Sequence, residues 1–306
     1  VFHVAQRDHF VARPAEAGHY EQKNQTDPMP DVEVNGTRLY YQQSGAGPDV
    51  VLVHAVTSNQ AVWVFSGLVE ALAAEYRVTA YDLRGHGMSA RPAAGYTSAV
   101  MADDFRRLHA ALGLKPAYLI GHSFGGVVSM HAAAVAPECV AGVILSDSFF
   151  PGLRHVEPNF GKMGIWADLR ETFARVGVEL GDTVDFSRLF HETAALPPDR
   201  FKELETIYGA FGRGWLRQLP KLAETTCGDE VLAEAGLTAA VLAGVAQPVV
   251  ALYDEFSPFL ATSRWLQQHL PRCAAEIIPA AKHLAVLDNT AGFTDAVTRH
   301  LARLTT

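Results

Sequence analysis

Ala117-Tyr118-Leu119-Ile120-Gly121-His122-Ser123-Phe124-Gly125-Gly126 is the stretch on which the fold turns. Its first four residues form an apolar run of strand length. From Gly126 to Ala136 the chain is rich in Ala and Val and long enough for a buried helix. Between them lies a G-x-S-x-G pattern, Gly121 to Gly125. Strand, sharp turn and helix together predict a bend so tight that only small residues fit two places either side of Ser123. Such a bend strains the serine backbone and leaves its hydroxyl exposed above the sheet edge. The backbone N–H of Phe124 and the positive end of the helix then face the place where an oxyanion would form. Ser123 is therefore the candidate nucleophile.

Outward from this bend the chain alternates strand and helix. On the N-terminal side, Val32-Glu33-Val34, Asn35-Gly36 and Thr37 to Gln43 read as a hairpin with Asn-Gly as its turn. Val50-Val51-Leu52-Val53 is a continuous apolar run, as in a strand covered on both faces. A helix from Ser58 to about Tyr76, a strand at Arg77 to Tyr81 and an amphipathic helix over Ser98 to Leu112 follow. On the C-terminal side comes the strand Val140 to Leu145. Alternation resumes with Pro248 to Leu252, a helix from Phe259 to Leu270, the strand Ala275 to Ile278 and a last helix over Thr290 to Leu304. The pattern predicts right-handed crossovers and a mostly parallel central sheet with flanking helices, an α/β fold.

The alternation is interrupted between about Phe149 and Gly244, where the chain reads as helices without strands. The expected organisation is a polar N-terminal arm over 1–30, one core built from 31–148 and 245–306, and a helical lid at 149–244. The lid carries eight of the sixteen phenylalanines, with Trp166 and Trp215. Most of these aromatics are expected to pack the lid onto the sheet. Phe149, Phe150, Trp166 and Trp215 are the candidates for an apolar pocket over Ser123, because a lid must turn one face toward the site.

Composition narrows the classes. The 306 residues are 49% apolar and 19% charged, with a net charge of −8 and no basic run. Nucleic acid and anionic membrane surfaces are therefore poor partners, and a small-molecule substrate is expected, with the oligomeric state left open. Cys139, Cys227 and Cys273 lie far apart and make no disulfide framework or zinc site. This favours a reducing, cytoplasmic compartment, although a start at Val1 leaves room for a removed targeting segment. No phosphate-binding Gly-rich loop and no metal-ligand spacing is visible, so chemistry without cofactor or metal is expected.

From Asp31 to Leu304 the chain resembles the α/β-hydrolase superfamily. Val51-Leu52-Val53-His54 is similar to the strand and turn that form half of the family's oxyanion hole, which implies the Val56 N–H as partner to that of Phe124. Tyr81 to Ser89 is similar to its loop ahead of the elbow, and Ala280-Ala281-Lys282-His283 to the turn that bears its histidine. The resemblance implies a serine nucleophile activated by His283, with structural roles for His54, His86 and His122. Two departures stand out. Ala55 occupies a place where Gly is usual. The usual acid after the penultimate strand is missing, since Asp254 falls at the family's Gly place and Ser257 at its Asp place. A minority arrangement puts the acid one strand earlier, at Asp147. Strand-end geometry favours Asp147 over Asp254, with Glu255 and Asp288 as more distant candidates.

A serine at the elbow argues against dehalogenases and epoxide hydrolases of this fold, which attack with Asp. The leading expectation is a hydrolase of carboxylic esters or lactones with an apolar or aromatic acyl part. Hydrolysis of a carbon–carbon bond in a diketone, acid-driven peroxide chemistry and a receptor-like member with little turnover are the alternatives. Fold alone does not separate them.

Overall fold

The computed structural model describes residues 30–160 and 164–306; the polar arm expected over 1–30 lies outside the described residues but for Pro30. Eight strands form one sheet: β1 (Asp31–Val34), β2 (Thr37–Ser44), β3 (Asp49–Val53), β4 (Arg77–Tyr81), β5 (Ala117–His122), β6 (Val140–Ser146), β7 (Val249–Asp254) and β8 (Cys273–Ile278). Their order is β1-β2-β4-β3-β5-β6-β7-β8. The first hairpin and the β2–β4 pair are antiparallel, and every pairing from β4 to β8 is parallel. The hairpin turns at Asn35 and Gly36, both at positive φ (49° and 68°), as its Asn-Gly predicts.

The continuous apolar runs are explained by two cores, one on each face. Val51, Val53, Leu119, Val143, Leu145 and Ala251 point to one, and Val50, Leu52, Ile120, Ile144 and Val250 to the other. Because side chains alternate along a strand, a strand covered on both faces must be apolar throughout. The first core is closed by helices α3 and α4 below and the second by α1, α2 and the C-terminal helix α13. These are α1 (Ala61–Phe65), α2 (Leu68–Ala73), α3 (Ser98–Ala111), α4 (Phe124–Val135) and α13 (Thr290–Thr305).

The single helix expected from Ser58 to Tyr76 is two. Gly67 sits at φ 73°, and Ser66 Oγ donates to Trp63 O at 3.0 Å, which ends α1 one residue before the turn. A lone glycine inside an apolar pattern was the available signal, and helical spacing on both sides hid it.

Between β6 and β7 run α5 (Gly164–Ala174), α6 (Phe186–Ala194), α7 (Pro198–Leu216), α8 (Leu219–Leu222), α9 (Cys227–Glu230) and α10 (Ala239–Ala243). One parallel bridge, Gly152 with Thr238, joins the two ends of this segment, so it is not wholly without β pairing. After β7 come α11 (Leu260–His269) and α12 (Ala285–Asp288). The loops that leave β3, β5, β6 and β7, together with the turn that follows β8, open at the C-terminal edge of the sheet. There the strand order reverses around β3 and β5, which is where open α/β sheets place their sites.

Candidate active site

Ser123 links β5 to α4 with φ 52° and ψ −118°, outside the regions open to ordinary residues. The flanking glycines show why the bend closes. A Cβ on Gly121 would stand 2.5 Å from the Gly125 carbonyl oxygen, and one on Gly125 would stand 2.1 Å from that of Val53. Both obstacles are backbone, so neither can swing aside. The Ser123 N–H donates to Ser146 O at 2.8 Å, tying the bend to β6.

His283 lies in the turn between β8 and α12. Its Nε2 is 3.2 Å from Ser123 Oγ and its Nδ1 is 2.6 Å from Asp147 Oδ2. Asp147 is fully buried one residue past β6, at φ 46°. Strand β7 holds it there. The Asp147 N–H donates to Leu252 O at 2.9 Å, the Asp254 N–H donates to Asp147 Oδ1 at 3.2 Å, and the Tyr253 hydroxyl donates to Ser148 O at 2.6 Å.

The other three carboxylates weighed from the sequence stand around the same turn, each accepting a backbone N–H from it. Glu255 accepts from Ala280 at 2.8 Å, Asp288 from Lys282 at 3.4 Å, and Asp254 from Ala285 at 3.0 Å. Asp254 thus lies beside Asp147 but holds the backbone after His283 rather than its imidazole. Burial, and then the charge of Asp147, push the Asp254 carboxyl up to about 7. His122 completes the support: its Nε2–H donates to His283 O at 2.8 Å. Ser257 bonds only locally, accepting from the Phe259 N–H at 2.9 Å.

The third component is the turn after β3. The Ser58 N–H donates to Ala55 O at 3.1 Å, closing a four-residue turn around Val56 and Thr57. The positive φ falls at Thr57 (65°) and not at Ala55, so the alanine that departs from the family's glycine is no obstacle. Two buried, neutral histidines brace this turn. The Thr57 N–H donates to His86 Nε2 at 3.0 Å, and the Leu83 N–H donates to His54 Nε2 at 3.0 Å. Those acceptor roles put the ring protons on Nδ1, facing Arg84 O and Ala55 O at 2.8 and 2.7 Å. Burial pushes the two imidazoles down, to about 4 for His54 and about 3 for His86, and His122 likewise to about 4. Among the described residues, neither the Val56 nor the Phe124 N–H donates to a backbone carbonyl.

A family model described as the alpha/beta hydrolase fold matches residues 48–290. The chain belongs to this family. As an α/β-hydrolase it spans about two fifths of the length of several curated relatives. One of these is the 2-(acetamidomethylene)succinate hydrolase of Mesorhizobium japonicum, 37% identical over 116 residues, 38% of this chain and 41% of that protein. A match of greater extent is the pimeloyl-[acyl-carrier protein] methyl ester esterase of Chromobacterium violaceum, 29% identical over 86% of this chain and 98% of that one. Among solved structures, the enol-lactonase of Burkholderia xenovorans superposes with a TM-score of 0.64 at 22% identity, covering 89% of this chain and 100% of that one. At that identity the likeness speaks for the fold.

The aromatics of this α/β-hydrolase divide differently from the expectation. Phe150 is fully buried and Trp166 nearly so, with its indole N–H donating to Gly181 O at 3.2 Å. Phe150 faces no open space and is core, which corrects its placement in a pocket. Phe149 stacks on Phe160 at 3.8 Å and packs beside Phe259 at 5.5 Å; Phe259 meets the His283 ring edge-on at 5.6 Å. Phe160 and Phe259, which no motif marked, therefore complete the apolar wall nearest the imidazole. Trp215 reaches the turn after β3: its indole N–H donates to Thr57 Oγ1 at 2.8 Å. Among the described residues no group of His, Cys, Asp and Glu side chains could hold a metal ion, and no helix is long and apolar enough to cross a membrane.

Proposed function

We propose that this chain is a serine hydrolase that cleaves a carboxylic ester or lactone with an apolar or aromatic acyl part. The observation that carries the reading is His283 standing between Ser123 Oγ at 3.2 Å and Asp147 Oδ2 at 2.6 Å. In the reaction, Ser123 Oγ attacks the carbonyl carbon while its proton passes to His283 Nε2. Asp147 accepts the Nδ1–H, holds that tautomer and stabilises the imidazolium. The negative oxygen of the tetrahedral intermediate accepts from the N–H groups of Val56 and Phe124. Collapse breaks the ester C–O bond, and His283 returns the proton to the leaving oxygen. A water molecule, deprotonated by the same imidazole, then attacks the acyl group on Ser123, releasing the acid and restoring the hydroxyl.

The wall of Phe149, Phe160 and Phe259 beside His283 suits an apolar acyl part, and helices α5 to α10 act as the lid that shields it. The near full-length match to a methyl ester esterase supports ester cleavage within the family. The receptor-like alternative rested on Ala55 and on a missing acid. The positive φ at Thr57 and a carboxylate against His283 weigh against it.

Incubation with a small aryl ester and, separately, a serine-directed phosphonate tests the reading. One phosphonyl group per chain, located at Ser123, with steady ester turnover is expected, and Ser123→Ala should show neither. Saturable ligand binding by the wild type with no labelling and no turnover sinks it. Faster cleavage of diketones than of esters or lactones would replace the substrate class while keeping the residues.

A further inference from the structure

We propose that Trp215 is a positioning residue for the oxyanion turn, acting through Thr57 across the boundary between inserted helices and core. This inference rests on the hydrolytic reading above and deepens it.

Thr57 is a β-branched residue at φ 65°, a conformation that such side chains adopt only when their surroundings impose it. With φ positive at its third residue, the turn Ala55 to Ser58 is of the type II kind, which favours Gly or Asn there. Left to itself, a threonine would draw the turn toward another arrangement and carry the Val56 N–H with it. Three hydrogen bonds oppose this. The Thr57 N–H donates to His86 Nε2 at 3.0 Å, its hydroxyl donates to Val56 O at 2.6 Å, and that hydroxyl in turn accepts from Trp215 Nε1 at 2.8 Å. The peptide between Val56 and Thr57 is thus held at both ends, its C=O by the hydroxyl and its N–H by the imidazole. The indole matters because it orients the hydroxyl. With Trp215 occupying a lone pair of Oγ1, the hydroxyl proton is directed at the Val56 carbonyl, and a chain of donors polarises each successive bond.

Trp215 stands near the end of α7, which is broken at Gly209 (φ 64°, ψ −164°), a backbone conformation open to glycine alone. The indole leans on Tyr208 just before that break, with ring centroids 5.2 Å apart. An element set over the site thereby contributes to the geometry of a backbone donor in the core. Seating of the inserted helices and readiness of the oxyanion turn are then one event.

Trp215→Phe keeps the ring and removes the donor. Loss of a whole oxyanion donor lowers turnover about a hundredfold or more, so a loosened donor should lower kcat about tenfold, with KM unchanged. Phosphonylation of Ser123, which forms a tetrahedral adduct, should slow by the same factor. Thr57→Val should match that loss, Thr57→Ser should restore most of it, and Trp215→Phe combined with Thr57→Val should be no slower than either alone. Trp265→Phe, on α11, serves as the control and should change nothing. A thermal midpoint near that of the wild type separates positioning from general damage. An unchanged kcat and labelling rate in Trp215→Phe overturns the proposal, and so does a rise in KM alone, which would make Trp215 a wall of the substrate pocket. Absence of labelling in the wild type overturns the hydrolytic reading itself, and this inference with it.

Discussion

At Asp147 the backbone stands at φ 46° with the side chain fully buried, a combination held by β7, whose Leu252 carbonyl accepts the Asp147 N–H and whose Asp254 N–H donates to its carboxylate. Three other carboxylates lie around the turn that carries His283, and sequence distance ranks them no lower. Hydrogen bonding sorts them. Asp254, Glu255 and Asp288 each take a backbone N–H, and Asp147 takes the imidazole. Asp147→Asn should therefore lower kcat about a thousandfold or more with an aryl ester, because an amide can hold the wrong tautomer. Asp254→Asn should stay within about threefold, since its amide oxygen still accepts the Ala285 N–H. Steady-state rates of the two variants decide between them; the reverse ranking moves the acid to β7.

At the scale of elements, the strands that lead into the site end in bends that their sequence announces to different degrees. The elbow after β5 is announced fully, because two glycines at fixed spacing are the only residues that clear backbone on both sides. Gly125→Ala should accordingly destabilise by about 3 kcal/mol or more, a Cβ meeting carbonyls that cannot move away. Gly214→Ala, in α7 with nothing near its added Cβ, should be neutral or stabilising by about 0.5–1 kcal/mol. Thermal midpoints of the pair measure the difference, and equal midpoints would mean that the elbow tolerates crowding. The bend after β6 is announced less well. Asp147 has only the modest left-handed preference of an Asp, and Thr57, after β3, has none, so contacts from β7, His86 and Trp215 hold them. The break between α1 and α2 lies between these cases: Gly67 marks it, but apolar spacing outweighed the mark.

Over the whole molecule, the parallel sheet, the insertion after β6 and the Ser123–His283 pairing were legible because periodicity and order along the chain encode them. Phe160, Phe259 and the bond from Trp215 were not, because packing between distant segments decides them. The same distinction governs acid stability, which no motif displays. His54, His86 and His122 are buried and neutral, pushed by burial to about 4, 3 and 4 from an ordinary 6.5. Below pH 6.5 the unfolded chain binds protons that the folded one refuses, so stability falls with pH until the folded values are reached. From about pH 7.5 to about pH 5.5 the three histidines together remove about 4 kcal/mol. Asp254 acts in the opposite sense. Raised to about 7 from 3.8, it gains a proton in the folded state first, so its contribution is complete below the unfolded value and is lost as pH rises through about 7. Over the same interval it returns about 2 kcal/mol. Burial also raises Asp82 and Asp104, which adds to that return nearer pH 4. The wild type should therefore lose about 2 kcal/mol or more between the two pH values, since burial lowers His131 as well, and Asp254→Asn, which cannot take up the proton, about 2 kcal/mol more than the wild type. Urea unfolding at both pH values measures the pair of losses. Equal losses would mean that Asp254 is already charged in the folded protein at pH 5.5, and that Asp147 and Asp254 carry their charges side by side.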